Sequence, residues 1–159
     1  MNQFKKQNGF TLVELLVVIV VIILLATISI FALNGQRAKA RDAKRISDIR
    51  QIRTALEFYR SDEGEYPIVS EPIVLGAKGA VKLCSKSVGG FVSADIDCKN
   101  GTVYMENVPG DPLANQSFSY MGAKDGFDIT FTTESASSLG TAGIYQAHSQ
   151  SIDSIPGNK

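Results

Sequence analysis

A single carboxylate lies near the start of an otherwise apolar run. The run from Phe10 to Leu33 contains Glu14 and no other ionisable side chain. An ionised carboxylate in hydrocarbon costs roughly 2.5–3.5 kcal/mol on insertion scales. Glu14 is therefore an accident of sequence, a carboxylate tolerated at a helix start beside the helix dipole, or a working part of the molecule.

Two cysteines are candidates for a disulfide. Cys84 and Cys98 enclose a loop of about 15 residues, for which chain entropy predicts about 3 kcal/mol of stabilisation. The pair is expected to be oxidised if this part of the chain lies outside the cytoplasm, and two unrelated thiols are the alternative. A zinc site is not predicted, because two cysteines and a distant His148 do not supply four ligands.

No group of residues has the spacing of a catalytic or cofactor site. His148 is the only histidine and is predicted to be a surface residue near a loose chain end. Asp125 and Asp128 flank a predicted turn and give only a weak basis for a metal site. No glycine-rich phosphate loop follows a strand. The sequence therefore predicts no enzyme activity, no cofactor and no bound metal.

The apolar run has the length of a membrane helix. Its 24 residues would form a helix of about 36 Å, and the hydrocarbon layer is about 30 Å thick. A secretory signal peptide has a shorter apolar region, about 7–15 residues, followed by an A-x-A-like site. We therefore predict a transmembrane helix over 10–34. A polar segment over 1–9 precedes it and ends in Gly9.

A second helical segment is predicted over 35–60. Its net charge between Arg37 and Arg60 is +5, from eight Lys or Arg against three Asp or Glu. Ion pairs along the helix, such as Arg45 with Asp48, are predicted to support it. Apolar residues recur at spacings of three and four, which places one stripe on a helix: Ile46, Ile49, Ile52, Leu56 and Tyr59. We predict one helix from about Thr11 to Tyr59, with Asn34-Gly35 as its weak point.

Residues 61–159 are predicted to form a globular head. The sequence RSDEGEYP ends the helix, and the head has six Lys against twelve Asp or Glu, a net charge of −6. Residues 68–102 are predicted to be mostly loop, with one short helix or strand. Two strands are predicted at SFSYMG and GFDITFTTE, with a hairpin at AKDG between them. A third strand is predicted at TAGIYQAHS. The tail from Gln150 is predicted to be loose. The fold class is α+β, with a long helix packed on a small antiparallel sheet.

The charges around the apolar run leave its orientation open. Lys5 and Lys6 precede the run, whereas five Lys or Arg follow it between Arg37 and Arg45. The positive-inside rule would place the head in the cytoplasm. The two cysteines indicate the opposite orientation.

The junction KKQNGFTLVELLVVIVVIILLA closely resembles the class III signal segment of type IV pilins and type II secretion pseudopilins. That family has a short basic leader ending in glycine, then Phe, Thr, Leu, a hydrophobic residue and Glu. Gly9 occupies the last leader position, Phe10 the mature N-terminus and Glu14 the acidic fifth position. The resemblance continues through ARDAKRISDIRQIRTALEFYRSDEGEYP, which is similar to the stalk and first loop of the major pseudopilin type.

The resemblance implies a defined processing and assembly route. A prepilin peptidase would cut between Gly9 and Phe10 on the cytoplasmic side and methylate the new amine, while Lys5 and Lys6 hold the leader inside. The chain would cross the bacterial cytoplasmic membrane once, with its head outside. An inner-membrane assembly platform would then lift subunits from the lipid into a helical filament, extracellular or periplasmic, with copies of themselves and other pilins. The helices over 10–34 would form the filament core. There Glu14 would meet the amine at Phe10 of a neighbouring subunit.

The favoured function is a structural subunit of a type IV pilus-like filament. The first alternative is the major pseudopilin of a type II secretion system, and the second is a monomeric bitopic membrane protein with a binding head and an uncut leader. The basic helix also suggests contact with DNA or lipid head groups, but a solvated helix face is favoured over DNA. The family's calcium site is not carried across, because only Glu134 and Asp153 are acidic in the matching region.

Overall fold

The structure is a computed structural model that describes residues 10–99 and 101–155, with only the backbone described for residues 29–34. The predicted leader over 1–9, with Lys5, Lys6 and Gly9, lies outside the described residues. The chain divides into two compact units, Met1–Arg37 and Ala38–Lys159. We call the second the globular unit.

One long helix, α1, runs from Leu12 to Glu63. The predicted helix over Thr11–Tyr59 is confirmed, and it continues without a break through the weak point at Asn34-Gly35. The helix ends four residues later than predicted. Gly64 adopts φ +77°, and its N–H donates to the Arg60 carbonyl at 2.9 Å, which is a common helix ending.

The first part of α1 exposes apolar side chains on all sides. From Leu12 to Leu25 the large apolar side chains are 46–80% exposed, and Ile28 is 69% exposed. Across the residues that the structure describes, no helix is both long and apolar enough to cross a membrane. The membrane segment predicted over 10–34 extends into residues 29–34, whose side chains lie outside that description.

A five-stranded antiparallel sheet forms the larger layer of the globular unit. Its strands are β1 (Val69–Val74), β5 (Ser119–Ala123), β6 (Gly126–Thr133), β7 (Gly143–Ala147) and β8 (Ile152–Ser154), in the order β1-β5-β6-β7-β8. The predicted hairpin is confirmed, because Ala123 pairs with Gly126 across a two-residue turn. The predicted third strand is β7.

A second, three-stranded antiparallel sheet lies where the sequence predicted mostly loop. Its strands are β2 (Lys82–Cys84), β3 (Phe91–Val92) and β4 (Val103–Met105), in the order β3-β2-β4. Most of the described residues in 68–102 lie outside strands, as predicted, but the segment contains three strands, β1, β2 and β3, where one short helix or strand was predicted. Strands of two to six residues carry too few positions for alternation to be recognised.

The prediction of a loose tail from Gln150 was wrong in part. Ile152–Ser154 forms β8 and pairs with β7, with Ala147 opposite Ile152 and Tyr145 opposite Ser154. The segment is polar because only one of its faces meets the core, and the backbone pairing holds it in place.

The core lies between α1 and the five-stranded sheet. The predicted stripe from Ile46 to Tyr59 is confirmed, with every member at most 5% exposed. From Ile49 onward it belongs to one cluster with the inward side chains of the sheet, which include Phe118, Tyr120, Phe127, Ile129, Phe131 and Tyr145. In β6 buried and half-buried residues alternate along the whole strand, as predicted. The α+β fold class is thus confirmed.

Candidate functional site

The start of α1 is closed by Thr11 and Glu14. The Thr11 N–H and hydroxyl donate to Oε2 of Glu14 at 2.9 and 2.7 Å, and the Glu14 N–H donates to the Thr11 hydroxyl at 3.2 Å. This reciprocal arrangement is a capping box, which satisfies two backbone donors that a helix start leaves unpaired. Glu14 therefore has a local role at the helix start.

Phe10 and Glu14 lie together at the exposed end of the apolar helix. Phe10 is 79% exposed, and the apolar residues that follow it are exposed as well. A continuous apolar surface of this size indicates a surface that lipid or another protein covers. Pairing of Glu14 with an amine in a second subunit is not tested by the structure of one chain and stays a prediction.

A cluster of five charged side chains joins α1 to two loops of the globular unit. We call Arg41, Asp42, Arg45, Asp111 and Glu134 the ion cluster. Arg45 is fully buried at its centre and donates to Asp111 with two nitrogens, at 2.7 and 2.9 Å. Its Nη1 donates to Asp42 at 2.7 Å and to Glu134 at 2.6 Å. Such bidentate, charge-assisted hydrogen bonds are the strongest that side chains make.

The rest of the ion cluster fixes the loop after β6. Arg41 donates to both carboxylate oxygens of Glu134, at 2.9 and 2.5 Å. Asp42 accepts hydrogen bonds from the backbone N–H groups of Glu134 and Ser135 and from the Ser135 hydroxyl, the last at 2.7 Å. The helix thereby holds the loop through charged and backbone groups at once.

The basic surface predicted on the helix is smaller than its composition indicates. Arg41 and Arg45 are taken up by the ion cluster, and Lys44 pairs with Asp48 at 2.7 Å. The predicted pairing of Asp48 with Arg45 was wrong, because Arg45 points inward to the carboxylates of the loops. Fewer free cations weaken the DNA-binding hypothesis.

The structure joins Cys84 to Cys98 in a disulfide, 14 residues apart in sequence. Both cysteines are buried and pack with Val92 and Val88 in a small cluster separate from the main core. The disulfide therefore ties the end of β2 to the loop between β3 and β4, where short strands supply little packing of their own.

His148 is half-buried and has a partner. Its Nδ1 lies 2.5 Å from Oδ1 of Asp128 on the neighbouring strand. Asp125 is exposed at the tip of the β5–β6 hairpin, apart from this pair. Over the residues that the structure describes, no three metal-binding side chains come together.

Two family models match the chain. A prokaryotic N-terminal methylation motif matches residues 4–30, and the model for the type II secretion system protein G matches residues 32–147. The second match covers most of the globular unit and well over half of the chain. The chain belongs to the type II secretion system protein G family.

Individual members of the protein G family are similar to this chain over 43–79% of its length. The type II secretion system core protein G of Vibrio cholerae is 37% identical over 79% of this chain and 77% of its own length. That of Escherichia coli K12 is 34% identical over 72% of each chain. The Aeromonas hydrophila protein is 39% identical, and the match covers about half of that relative (48%) and 43% of this chain. No solved structure matches the chain.

Membership of the protein G family confirms the pilin-like resemblance and the prediction that the chain is not an enzyme. Family membership favours the type II secretion alternative over the type IV pilus subunit that was the favoured function from sequence. Pilus subunits and secretion pseudopilins are expected to share fold and processing. Residues that both have in common could therefore not distinguish the two hypotheses.

The ion cluster of this protein G family member was not predicted from its sequence. The segment from Gln36 to Arg45 reads as polar on all sides, which is typical of a solvated helix. One signal was available: Asp42 and Arg45 are three residues apart, on the side of the helix that continues into the stripe at Ile46 and Ile49. Their partners Asp111 and Glu134 lie in loops and could not be assigned without the fold.

Acid should destabilise the globular unit through Glu134. The hydrogen bond from Arg41, with a smaller contribution from Arg45, lowers the pKa of Glu134 from 4.5 to about 2, against the effect of burial. The unfolded chain therefore binds more protons below pH 4.5, and the stability contributed by Glu134 is lost as the pH falls towards 2. Burial raises the pKa of Asp42, but hydrogen bonds from Ser135, Glu134 and Arg45 outweigh it and lower the pKa overall.

Thermal unfolding of the purified full chain at pH 7, 5 and 3 tests this prediction. The midpoint should fall mainly between pH 5 and 3. A Glu134→Gln variant should be less stable at pH 7 and lose less on acidification, because its side chain does not titrate. An equal loss in both proteins would show that Glu134 is not responsible.

Removing the disulfide should lower the free energy of unfolding by about 3 kcal/mol, the value expected for closing a loop of about 15 residues. The measurement is denaturant unfolding of the full chain with and without a thiol reductant. A Cys84→Ser, Cys98→Ser double variant should match the reduced protein and show no further response to reductant. A reductant-insensitive wild type would contradict the prediction.

Proposed function

We propose that this chain is the major pseudopilin-type subunit of a type II secretion system and assembles into a filament through α1. The observation that carries the proposal is the match of the protein G model to residues 32–147, which covers the globular unit from the helix to β7. Its partners are copies of itself, other pseudopilins and an inner-membrane assembly platform.

Processing at Gly9 and Phe10 forms the first step of the proposal. The methylation motif over residues 4–30 supports it, because the motif covers the cut site and the apolar helix together. A prepilin peptidase removes residues 1–9 and methylates the amine of Phe10. Lys5 and Lys6 keep the leader in the cytoplasm, and the globular unit lies outside.

The apolar part of α1 is held in lipid before assembly and among other helices afterwards. Its exposed side chains point to every side, so no single partner surface of the same chain covers them. A helix satisfies its own backbone groups, which is the requirement for a segment in hydrocarbon. The subunit is accordingly a single-pass protein of the cytoplasmic membrane that moves into a periplasmic filament.

Glu14 sets the stagger between neighbouring subunits in this proposal. The capping box supplies it with hydrogen bonds but no positive charge, since Thr11 is neutral. A carboxylate has about four acceptor sites, so Glu14 can keep Thr11 and still accept from an amine. In a dry filament core, the methylated amine of Phe10 in the next subunit is the group that would neutralise it.

Secretion in a strain that lacks the chain tests the proposed function. Deletion should leave the exported proteins of the system in the periplasm, and expression of the wild-type chain should return them to the medium. A Glu14→Leu chain expressed at the same level is the matched control and should not restore export. Normal export after deletion, together with loss of surface pili, would instead establish the type IV pilus reading.

A further inference from the structure

A small groove lies between α1 and the loop that follows β6. Its volume is about 350 Å³, the lower range of pockets that accept small ligands, so one aromatic side chain fits in it. Its lining is formed mainly by small side chains, with one lysine at the rim: Lys39, Ala43, Ile46, Ala136, Ser137 and Ser138. We call it the helix–loop groove.

The ion cluster holds the helix–loop groove open. Asp42, between Lys39 and Ala43 on the helix, accepts hydrogen bonds from the N–H and hydroxyl of Ser135, the residue before Ala136. Both walls are therefore fixed relative to each other. A preformed groove binds a side chain without having to order its own walls first.

An exposed aromatic side chain lies farther along the same helix. Phe58 is 61% exposed, although its neighbours Leu56 and Tyr59 are buried in the core. Asp62, one turn after Phe58, is also exposed. Phe58 thus forms an apolar projection with an acidic residue beside it, whereas the helix–loop groove is a recess with a basic residue, Lys39, at its rim.

The projection and the groove of one chain cannot meet each other. Phe58 lies 12 residues after Ile46 and 19 after Lys39 on one helix, a separation of about 18–28 Å. The contact therefore has to join two copies. Because the two surfaces differ, a pair joined by one contact keeps an unused groove on one copy and an unused projection on the other, and such a contact continues into a filament.

We propose that Phe58 of one copy inserts into the helix–loop groove of a second copy, with Asp62 of the first beside Lys39 of the second. The inference rests on the proposed function, because it names a contact by which the filament would repeat. Opposite charges at the rim fix the register of the contact, and the buried ring supplies its affinity.

Cross-linking of the full-length chain in cells tests the contact. Two forms of the chain are co-expressed, one with Phe58→Cys and one with Ala136→Cys, and assembled filaments are treated with a short bismaleimide. A product of one copy of each form is expected. Lys124→Cys in place of Phe58→Cys is the matched control, because Lys124 is exposed on the β5–β6 hairpin, and it should give no product. Filaments without the Phe58–Ala136 product would overturn the inference.

A charge exchange gives a second readout that does not depend on added cysteines. Lys39→Glu and Asp62→Lys should each lower filament yield at least about tenfold, because each variant brings two like charges together at the rim, and the double variant should recover most of it. Lys39 and Asp62 are exposed, but Asp62 also hydrogen-bonds with Tyr104, so filament yields are compared at equal amounts of folded chain, which tyrosine fluorescence during unfolding measures. Normal yield from each single variant would overturn the inference and leave the proposed function intact. A wild-type chain that forms no filament and supports no secretion would overturn the proposed function itself.

Discussion

Replacing Arg45 by alanine should lower the free energy of unfolding of the globular unit by about 3–5 kcal/mol. Removing one partner of a buried ion pair leaves uncompensated charge, and here three carboxylates would remain around the empty position. Asp111 loses the most, because its side chain is fully buried and both of its carboxylate oxygens accept from Arg45. A loss of this size is a large part of the stability of a typical domain.

Tyrosine fluorescence during denaturant unfolding measures this loss in the full chain. The chain has five tyrosines and no tryptophan, and every tyrosine lies in the globular unit. Arg50→Ala, on the exposed side of the same helix, is the matched control and should change stability by no more than about 0.5 kcal/mol. Arg45→Lys should remain strongly destabilised, because an ammonium cannot make the bidentate pair. A loss below about 1 kcal/mol for Arg45→Ala would refute the role assigned to the ion cluster.

Replacing Glu14 by leucine should leave membrane insertion intact and lower filament yield at least about tenfold. The change removes a carboxylate from an apolar helix, which favours insertion, but it leaves the Phe10 amine of the neighbour without a partner in the filament core. Filaments sheared from the cells give the filament yield, and membrane fractions from the same cells give the amount of inserted chain.

A glutamine at position 14 separates the two roles of Glu14. Glutamine can replace glutamate in a capping box, so Glu14→Gln keeps the hydrogen bonds with Thr11 but removes the charge. If pairing with the amine governs assembly, Glu14→Gln should lower filament yield as much as Glu14→Leu does. Thr11→Val keeps the charge of Glu14 and should give a higher filament yield than either variant. Assembly by Glu14→Gln at the wild-type level would show that helix capping is the whole role.

The sequence predicted the parts of the fold that have a long, regular pattern. The stripe from Ile46 to Tyr59 repeats over four turns, and β6 alternates over eight residues, so each pattern exceeds what chance placement gives. The end of the helix was misplaced by four residues because the charged sequence after Tyr59 is equally compatible with a last helical turn, and Gly64 provides the actual stop.

The parts that could not be predicted depend on contacts between distant residues. Arg45 reads as a surface cation until Asp111 and Glu134 are known to be beside it, 66 and 89 residues further along the chain. The short strands β2, β3 and β4 exist because they pair with one another and because the disulfide fixes them, and a pattern of two or three residues cannot indicate this. The His148–Asp128 pair likewise follows from the register of β6 and β7.

The N-terminal mass of the chain, recovered from envelopes of cells that contain its own peptidase, tests the central claim most directly. A processed filament subunit is predicted to begin at Phe10 and to have one added methyl group. A chain that retains Met1 and the complete leader would contradict the account, because the Glu14 pairing and filament assembly both require the free amine of Phe10.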